Sequence, residues 1–301
     1  MINFSILIIK IIILQYMILQ KAVITAAAPD QRKLPLQTLI DKDGIKKSVL
    51  EILIQEIVNA GITEICIVIQ KDDEQTYSQV LGKHGHYVTF VFQEQALGYG
   101  HALYCAKDFL KNESFLHLVG DHLYINRSDV ACAKHLVDFA RNQKCAVSAV
   151  QATRETLIPH FGVVGGTGYQ KMTGVYKINQ VIEKPTPTVA EQKLIVPGLR
   201  TGHYLCFFGM HVFTPTVISI LDEELNNDPD KKVSLSVALN TLAEREQYLA
   251  LEKNDLRYDM GDKYGLLKAQ LALALSGKDR DLVLAELLEM FISKDLANRG
   301  R

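Results

Sequence analysis

The sequence predicts an α/β fold in which helices cover both faces of a mixed, mostly parallel, doubly wound sheet. In its first half, short apolar runs rich in β-branched residues alternate with segments whose apolar residues recur at helical spacing. No internal repeat or long linker interrupts the 301 residues, of which 48% are hydrophobic. The chain is therefore long and apolar enough to bury one large core.

The elements of the first half follow one another with short connections. A strand is predicted in KAVITAA, from Lys21 to Ala27, and a helix in KKSVLEILIQEIVNAG, which ends at Gly61. Further strands are predicted in EICIVIQ, YVTFVFQ, SFLHLVGDH and CAVSAVQA. Helices are predicted in GYGHALYCAKDFL, between the second and third of these strands, and in DVACAKHLVDFARNQ, between the third and fourth. Because parallel neighbours need a crossover connection, this alternation favours a mostly parallel sheet.

The pattern changes from about Thr153 onward. Shorter strands with turns are predicted in HFGVVGGTGY, VYKINQVIEKP and TGHYLCFFGMHVF, and we expect them to form a small lobe across the mouth of the sheet. Helices return in PTVISILDEEL and SLSVALNTLAERE. The tail predicts two amphipathic helices with a Gly-Lys-Asp break, which either pack on the core or form a contact in a homo-oligomer.

Charge and cysteine content exclude several classes of protein. The chain has 33 basic and 34 acidic residues, which argues against a nucleic-acid partner. The cysteines are odd in number and form no C-x-x-C pair, which argues against a disulfide framework and a thiolate zinc site. We expect reduced thiols in a cytoplasmic protein. The five positions are Cys66, Cys105, Cys132, Cys145 and Cys206.

The first sixteen residues allow three interpretations. MINFSILIIKIIILQY is almost wholly apolar, but with the next few residues it only just reaches the length of a membrane anchor, and Lys10 lies in its middle. Cleavage of a signal peptide at TAAAP would delete the first strand. We favour the third interpretation, in which translation begins at Met17 and residues 1–16 are not native, so no membrane association is expected.

Candidate ligand-binding residues follow the predicted strands, because ligands of open α/β sheets bind beyond the carboxyl ends of the strands. The loop after the first strand contains Ala27, Ala28 and Arg32. Its backbone N–H groups and the arginine can hold phosphates, although the loop has no glycine to allow close approach. An ordinary turn with a solvated arginine is the alternative.

Two further strand ends carry polar groups that suit a nucleotide. Gln93 precedes Gly98, and a glutamine amide can both donate to and accept from the edge of a base. Asp121 follows an apolar strand and Gly120, and Asp259 lies in RYDMGDKYG; together the two carboxylates suit Mg²⁺ between phosphates. The alternatives are a glycine-rich loop with an exposed glutamine and aspartates that cap turns.

The segment VIEKP supplies a third pair of candidates. Glu183 can accept hydrogen bonds from sugar hydroxyls, and Lys184 can neutralise a phosphate. A surface Glu-Lys pair at a strand end is the alternative.

Taken in order along the chain, these motifs resemble those of the bacterial sugar-1-phosphate nucleotidyltransferases, in particular those that use UTP and glucose 1-phosphate. The resemblance covers Lys21 to Leu275. Its most specific stretches are AGITEICIV, GYGHALYCA, FGVV, IEKP and YDMGDKYGLL. It implies the Rossmann-like nucleotide-diphospho-sugar transferase fold, with a catalytic domain at 17–262, a strand-rich sugar-binding lobe within it and C-terminal helices at 263–301.

The resemblance also implies an activity and a role for each candidate. A sugar 1-phosphate would attack the α-phosphate of UTP or another NTP, releasing pyrophosphate and forming a nucleotide sugar with the help of Mg²⁺. Arg32, Asp121 and Lys184 would be catalytic. The nucleotide would be bound by Ala27, Ala28, Gln93 and Gly98. The sugar would be bound by Gly162, Glu183 and Lys184, and the metal by Asp121 and Asp259.

The phosphate loop departs from the pattern of that family. The family has Gly-x-Gly-Thr-Arg where this chain has Ala-Pro-Asp-Gln-Arg, ending at Arg32. A second family lysine has no clear register and corresponds to Lys42, Lys46 or Lys47. These departures motivate a second hypothesis, a non-catalytic regulatory subunit that binds a nucleotide sugar. No G-x-G-x-x-G follows the first strand, which argues against a dinucleotide-binding oxidoreductase.

Overall fold

The computed structural model describes residues 17–228 and 232–299, with the side chains of 293–299 left out. The predicted apolar extension, 1–16, lies outside the described residues. Within the described ranges no helix is both long and apolar enough to cross a membrane.

A nine-stranded sheet forms the centre of the molecule, in the order β5-β4-β1-β6-β11-β8-β12-β10-β9, and two small two-stranded sheets flank it. The strands are β1 Lys21–Thr25, β2 Thr38–Ile40, β3 Lys46–Ser48, β4 Glu64–Ile69, β5 Val88–Phe92, β6 Phe115–Val119, β7 His122–Ile125, β8 Ala146–Arg154, β9 Gly162–Gly168, β10 Val175–Glu183, β11 His203–Phe213, β12 Tyr248–Glu252 and β13 Leu256–Asp259.

The sheet is mixed, as predicted, but its pairing is less parallel than the sequence suggests. Parallel pairing joins β5, β4, β1 and β6, and it also joins β8 to β12. Strands β11 and β10 run against their neighbours. The prediction of a mostly parallel sheet is therefore correct for one half of the sheet only. Parallel neighbours need a crossover connection, usually a helix, whereas antiparallel neighbours do not.

Helices lie between most of the parallel strands. They are α1 Val49–Asn59, α2 Glu74–Gln79, α3 Tyr99–Tyr104, α4 Lys107–Leu110, α5 Cys132–Gln143, α6 Pro187–Lys193, α7 Thr216–Asn227, α8 Leu235–Arg245, α9 Gly265–Ser276 and α10 Arg280–Arg299. The predicted first helix is three residues shorter at its start because Ser48 caps it, accepting a hydrogen bond from the backbone N–H of Glu51 at 2.9 Å.

Both faces of the sheet are buried, which confirms helices on either side. Side chains of a strand alternate between faces. In β1, Ala22 and Ile24 belong to one apolar cluster, with residues of α1, α5 and α9, whereas Val23 belongs to a second cluster with residues of α3, α7 and α8. The sheet is therefore the shared wall of two hydrophobic cores.

The strand-rich segment after Thr153 does not form a separate sheet. Its strands β9, β10 and β11 all hydrogen-bond into the central sheet. The expected lobe is thus an extension of that sheet. Alternation of apolar residues identifies a strand but does not say which strand it pairs with.

The two C-terminal helices differ in their packing. In α9, Ala269 and Leu273 are buried in the core, whereas Leu282, Leu288 and Phe291 of α10 are exposed. The predicted oligomer contact and the boundary at residue 262 stay predictions.

Candidate active site

A cleft of about 440 Å³ opens where β1, β5, β6 and β10 end. This is the sheet edge at which the sequence predicts ligand binding. The cleft brings together most of the candidates. Its lining includes Ala27, Ala28, Gln93, Gly98, Asp121, Glu183, Lys184 and Asp259.

Asp121 and Asp259 meet in this cleft because β7 and β13 pair antiparallel. Asp259 lies directly opposite His122 in that pair, and the N–H of Met260 donates to the carbonyl oxygen of Asp121 at 3.0 Å. Residues directly opposite each other project from the same face. One ligand atom from each of Asp121, His122 and Asp259 lies within 4.8 Å of the other two.

The electrostatics of Asp121 favour a carboxylate. Burial is the largest single influence and raises the pKa of the Asp121 carboxyl. The hydrogen bond between its Oδ1 and His122 Nδ1, 2.8 Å long, the charge of His122, a backbone hydrogen bond and the Arg257 guanidinium together outweigh burial, so that the pKa is lowered. Asp121 and His122 expose only 14% and 12% of their side chains. Two carboxylates converging from separate parts of the chain, at the edge of a cleft, are a donor set that fits a divalent cation.

The predicted base-binding residues form one wall of the cleft. The side-chain amide of Gln93 donates to the carbonyl oxygen of Gly98 at 3.1 Å, and no donor to its Oε1 is found among the described residues. Gly98 has φ +100°, and a Cβ there would lie 2.8 Å from the carbonyl oxygen of Val233. Only glycine satisfies both constraints without strain. The contact with Gly98 thus holds the Gln93 amide in the lining of the cleft.

Glu183 and Lys184 also line the cleft. Glu183 accepts a hydrogen bond from the Ser236 hydroxyl at 2.6 Å, which fixes its carboxylate. Lys184 has φ +45°, and its backbone N–H donates to the carbonyl oxygen of Phe161 at 3.0 Å. Left-handed backbone is costly for a residue with a Cβ and is often found at functional sites. Within the described parts of the chain, no acceptor is found for the Lys184 ammonium.

Gly162, predicted to hold the sugar, does not line the cleft itself. It lines a smaller cavity of about 130 Å³ that shares lining residues with the cleft. A Cβ at Gly162 would lie 2.8 Å from Cδ2 of Phe207 and 3.0 Å from a carboxylate oxygen of Glu183. The Arg257 guanidinium lies over the Phe161 ring, 4.2 Å from its centroid, and lines the same cavity. The two cavities share Glu183, Tyr99 and His122 in their linings.

Arg32 is not among the residues that line the cleft. Its guanidinium pairs with Asp73, with 2.8 Å between Nη1 and Oδ2, and its carbonyl oxygen accepts from the Tyr77 hydroxyl at 2.6 Å. The phosphate loop is thus held against the segment after β4. Gln31 lines the cleft in its place. Arg32 can reach the cleft only if its ion pair with Asp73 opens.

Several groups that the structure brings into the cleft are not among the candidates predicted from the sequence. His122 follows Asp121 directly, and its position in GDH was the only available signal. Tyr99 lies between two glycines and lines both cavities, with its hydroxyl 3.4 Å from Nε2 of the buried His117. His117 also lies 3.1 Å from the Thr25 hydroxyl. These contacts join residues distant in sequence, which no local pattern reports.

Solved structures share this architecture. A UDP-glucose pyrophosphorylase in complex with UDP-glucose aligns with a TM-score of 0.69 at 22% identity, over 85% of this chain and 98% of that one. A UTP-bound UGPase from Acinetobacter baumannii aligns with a TM-score of 0.68 at 21% identity, over 90% of this chain and 99% of the other. These similarities confirm the predicted α/β nucleotidyltransferase fold.

Similar sequences extend over nearly the whole chain. The UTP–glucose-1-phosphate uridylyltransferase of Staphylococcus epidermidis is 26% identical over 302 aligned residues, covering 92% of this chain and 98% of that protein. UTP–glucose-1-phosphate uridylyltransferase 2 of Streptococcus pyogenes is 27% identical and covers 85% of this chain and 90% of its own length. The family model for nucleotidyl transferases matches residues 39–275, so the chain belongs to the nucleotidyl transferase family.

Proposed function

We propose that the protein transfers a nucleotidyl group from an NTP, with UTP favoured, to a sugar 1-phosphate, with glucose 1-phosphate favoured. The observation that carries this proposal is the convergence of Asp121 and Asp259 in one cleft, which Gln93 and Lys184 also line. The similarity to UTP–glucose-1-phosphate uridylyltransferases supports the choice of UTP and glucose 1-phosphate.

The reaction makes one bond and breaks one. A phosphate oxygen of the sugar 1-phosphate attacks the α-phosphorus of the NTP. The bond from that phosphorus to the oxygen bridging to the β-phosphate breaks, and pyrophosphate leaves with the electron pair. No covalent bond to the protein is required, so positioning and charge neutralisation account for most of the catalysis.

The residues that line the cleft have different parts in this reaction. Asp121 and Asp259 would hold the divalent cation, Mg²⁺ in this proposal, which when bound neutralises charge on the phosphates. Gln93 contacts the base and Glu183 accepts from sugar hydroxyls. Lys184, exposed and without an acceptor among the described residues, binds the phosphate of the sugar.

The phosphate loop retains donors despite its lack of glycine. Among the described residues, no acceptor is found for the backbone N–H groups of Ala27 and Ala28, and both residues line the cleft. Such N–H groups bind phosphate oxygens. We propose that they receive the triphosphate, and that Arg32 joins them when its ion pair with Asp73 opens.

The proposed compartment is the cytoplasm. All five cysteines are free thiols and four of them, Cys66, Cys132, Cys145 and Cys206, lie in the core. Reduced, buried thiols are usual for cytoplasmic proteins.

The test is pyrophosphate release from the purified chain with Mg²⁺, across the common NTPs and a panel of sugar 1-phosphates. Release with UTP and glucose 1-phosphate above all other pairs is the expected result. A folded sample that releases none with any pair contradicts the proposal.

One observation favours the alternative of a regulatory subunit that binds a nucleotide sugar without turnover. Arg32 is paired with Asp73 and lies outside the cleft lining. In that case UDP-glucose raises the melting temperature although no pyrophosphate forms, so both measurements are made on the same sample.

A further inference from the structure

We propose that His122 is a nitrogen ligand of the cation site formed by Asp121 and Asp259, and that it gives this site a preference for Mn²⁺ and Co²⁺ over Mg²⁺. The inference rests on the metal site of the proposed function. It adds to that proposal the identity of the third protein ligand and the class of cation.

The first argument is the placement of the imidazole. His122 opens β7 and lies directly opposite Asp259 of β13. Directly opposite residues project from one face of a two-stranded sheet, so the ring and that carboxylate point toward the same space. The ring also stacks on Tyr124, with centroids 6.4 Å apart and planes 28° apart. The imidazole is thus held in place before any cation arrives.

The second argument is distance. Nδ1 of His122 lies 2.8 Å from Oδ1 of Asp121, and the three ligand atoms lie within 4.8 Å of one another. Ligands at about 2.1 Å in an octahedral shell are separated by about 3 Å when adjacent and about 4.2 Å when opposite. A cation that replaces the proton between Nδ1 and Oδ1, with small side-chain rotations, would be held by two carboxylate oxygens and one nitrogen.

The third argument is the chemistry of the donors. Mg²⁺ takes oxygen ligands almost exclusively, whereas imidazole suits later divalent metals. The affinity of a nitrogen-containing site rises from Mn²⁺ to Co²⁺ and beyond. With only 12% of its side chain exposed, His122 meets little competition from water. A carboxylate or amide in its place would give the cation only oxygen.

A simpler role for His122 is to orient Asp121 through the hydrogen bond alone. That role predicts no bond between nitrogen and metal, and it predicts that every divalent cation loses affinity equally when the imidazole is removed. The two roles thus differ in a spectroscopic signal and in a ratio of affinities.

The test uses the full chain with Mn²⁺ alone and with Mn²⁺ plus UTP. Pulsed EPR reports whether a ¹⁴N nucleus is bonded to the Mn²⁺, and calorimetry gives the affinities for Mn²⁺, Co²⁺ and Mg²⁺. We compare the wild type with His122→Asn, which keeps an amide donor for Asp121. The matched control is His160→Asn, which removes another histidine that lines the cleft but lies outside the three-residue cluster.

We expect a ¹⁴N coupling in the wild type and in His160→Asn, and its loss in His122→Asn. We also expect His122→Asn to weaken Mn²⁺ and Co²⁺ binding on the order of tenfold and Mg²⁺ binding by about twofold or less. A wild type without ¹⁴N coupling, an equal loss for all three cations, or no Mn²⁺ binding in either condition overturns the inference.

These readouts are independent of turnover. If nitrogen is bonded to Mn²⁺ but no pyrophosphate is ever released, only the proposed function fails. If pyrophosphate is released but no nitrogen coordinates the cation, only this inference fails.

Discussion

Asp259 lies directly across an antiparallel strand pair from His122, and its carboxylate comes within 4.8 Å of a ligand atom of Asp121. A short two-stranded sheet, β7 with β13, thus brings the far end of the family-matched region back to the edge of the central sheet. The cation site depends on this pairing, and the first prediction tests it.

Asp121→Asn is expected to reduce pyrophosphate release by more than about a hundredfold, because the neutral amide removes one of the two carboxylates available to the cation. The melting temperature should change little, because the substitution keeps the size of the side chain. Pyrophosphate release, Mn²⁺ affinity and thermal unfolding are measured together. Asp262→Asn, three residues beyond Asp259 and exposed, is the matched control and should behave as wild type. A wild-type rate in Asp121→Asn contradicts the metal role.

Lys184→Ala is expected to raise KM for the sugar 1-phosphate by about tenfold or more while KM for the NTP changes less than about twofold. The reason is that removing an ammonium from a phosphate loses a charge-assisted hydrogen bond. Initial rates with each substrate varied in turn separate the two constants. Lys177→Ala, at an exposed lysine on the strand that Lys184 directly follows, controls for the loss of a surface charge. Equal changes in the two KM values would contradict the proposal that Lys184 binds the phosphate of the sugar.

Asp73→Asn is expected to lower KM for the NTP by up to about fivefold, because breaking a partly exposed ion pair costs about 1 kcal/mol or less and frees Arg32 for the triphosphate. Arg32 exposes 27% of its side chain in this ion pair, and Asp73 exposes 14%. Steady-state kinetics with the NTP varied provides the measurement. Asp72→Asn, an exposed neighbour, should have no effect. The double variant Arg32→Ala with Asp73→Asn must lose the gain; if the gain persists, Arg32 does not bind the nucleotide.

Stability is expected to fall as the pH drops below about 6.5, because buried histidines cannot take up the protons that the unfolded chain binds. Burial lowers the pKa of His117 to about 3, and burial with the neighbouring His117 lowers that of His211 as well. Between about pH 3 and 6.5 the unfolded state binds more protons, so each histidine removes up to about 1.4 kcal/mol per pH unit.

Urea unfolding of His117→Phe at several pH values checks this. The slope of the unfolding free energy against pH should decrease by about 1.4 kcal/mol per unit at most. His84, His101 and His135 also have lowered pKa values and contribute a slope common to both proteins. An unaltered slope in His117→Phe would show that this ring does not titrate on unfolding.

Much of the local structure could be predicted from the sequence. Continuous, largely apolar runs that are buried on both faces define β4 and β6, and helical spacing with a capping serine defines α1. These are properties of neighbours along the chain, so a pattern reports them. The candidate residues at the strand ends also follow, because the carboxyl ends of parallel strands meet at one edge of a sheet.

The pairing of distant strands could not be predicted in the same way. Nothing in the run from Gly162 to Glu183 says that these strands join the central sheet, since side-chain alternation is satisfied by any partner that buries the same face. Similarly, the direction of the Arg32 guanidinium depends on Asp73, which belongs to the segment after another strand.

The sequence by itself determined the α/β class, the order of most elements, the family to which the chain is similar and the residues that reach the ligand-binding edge. Only the tertiary structure decided that His122 stands beside the two aspartates and that Arg32 turns away from the cleft. The physical reason is range: periodicity and capping act over a few residues, whereas a cation site or an ion pair is set by distances between groups that only folding brings together.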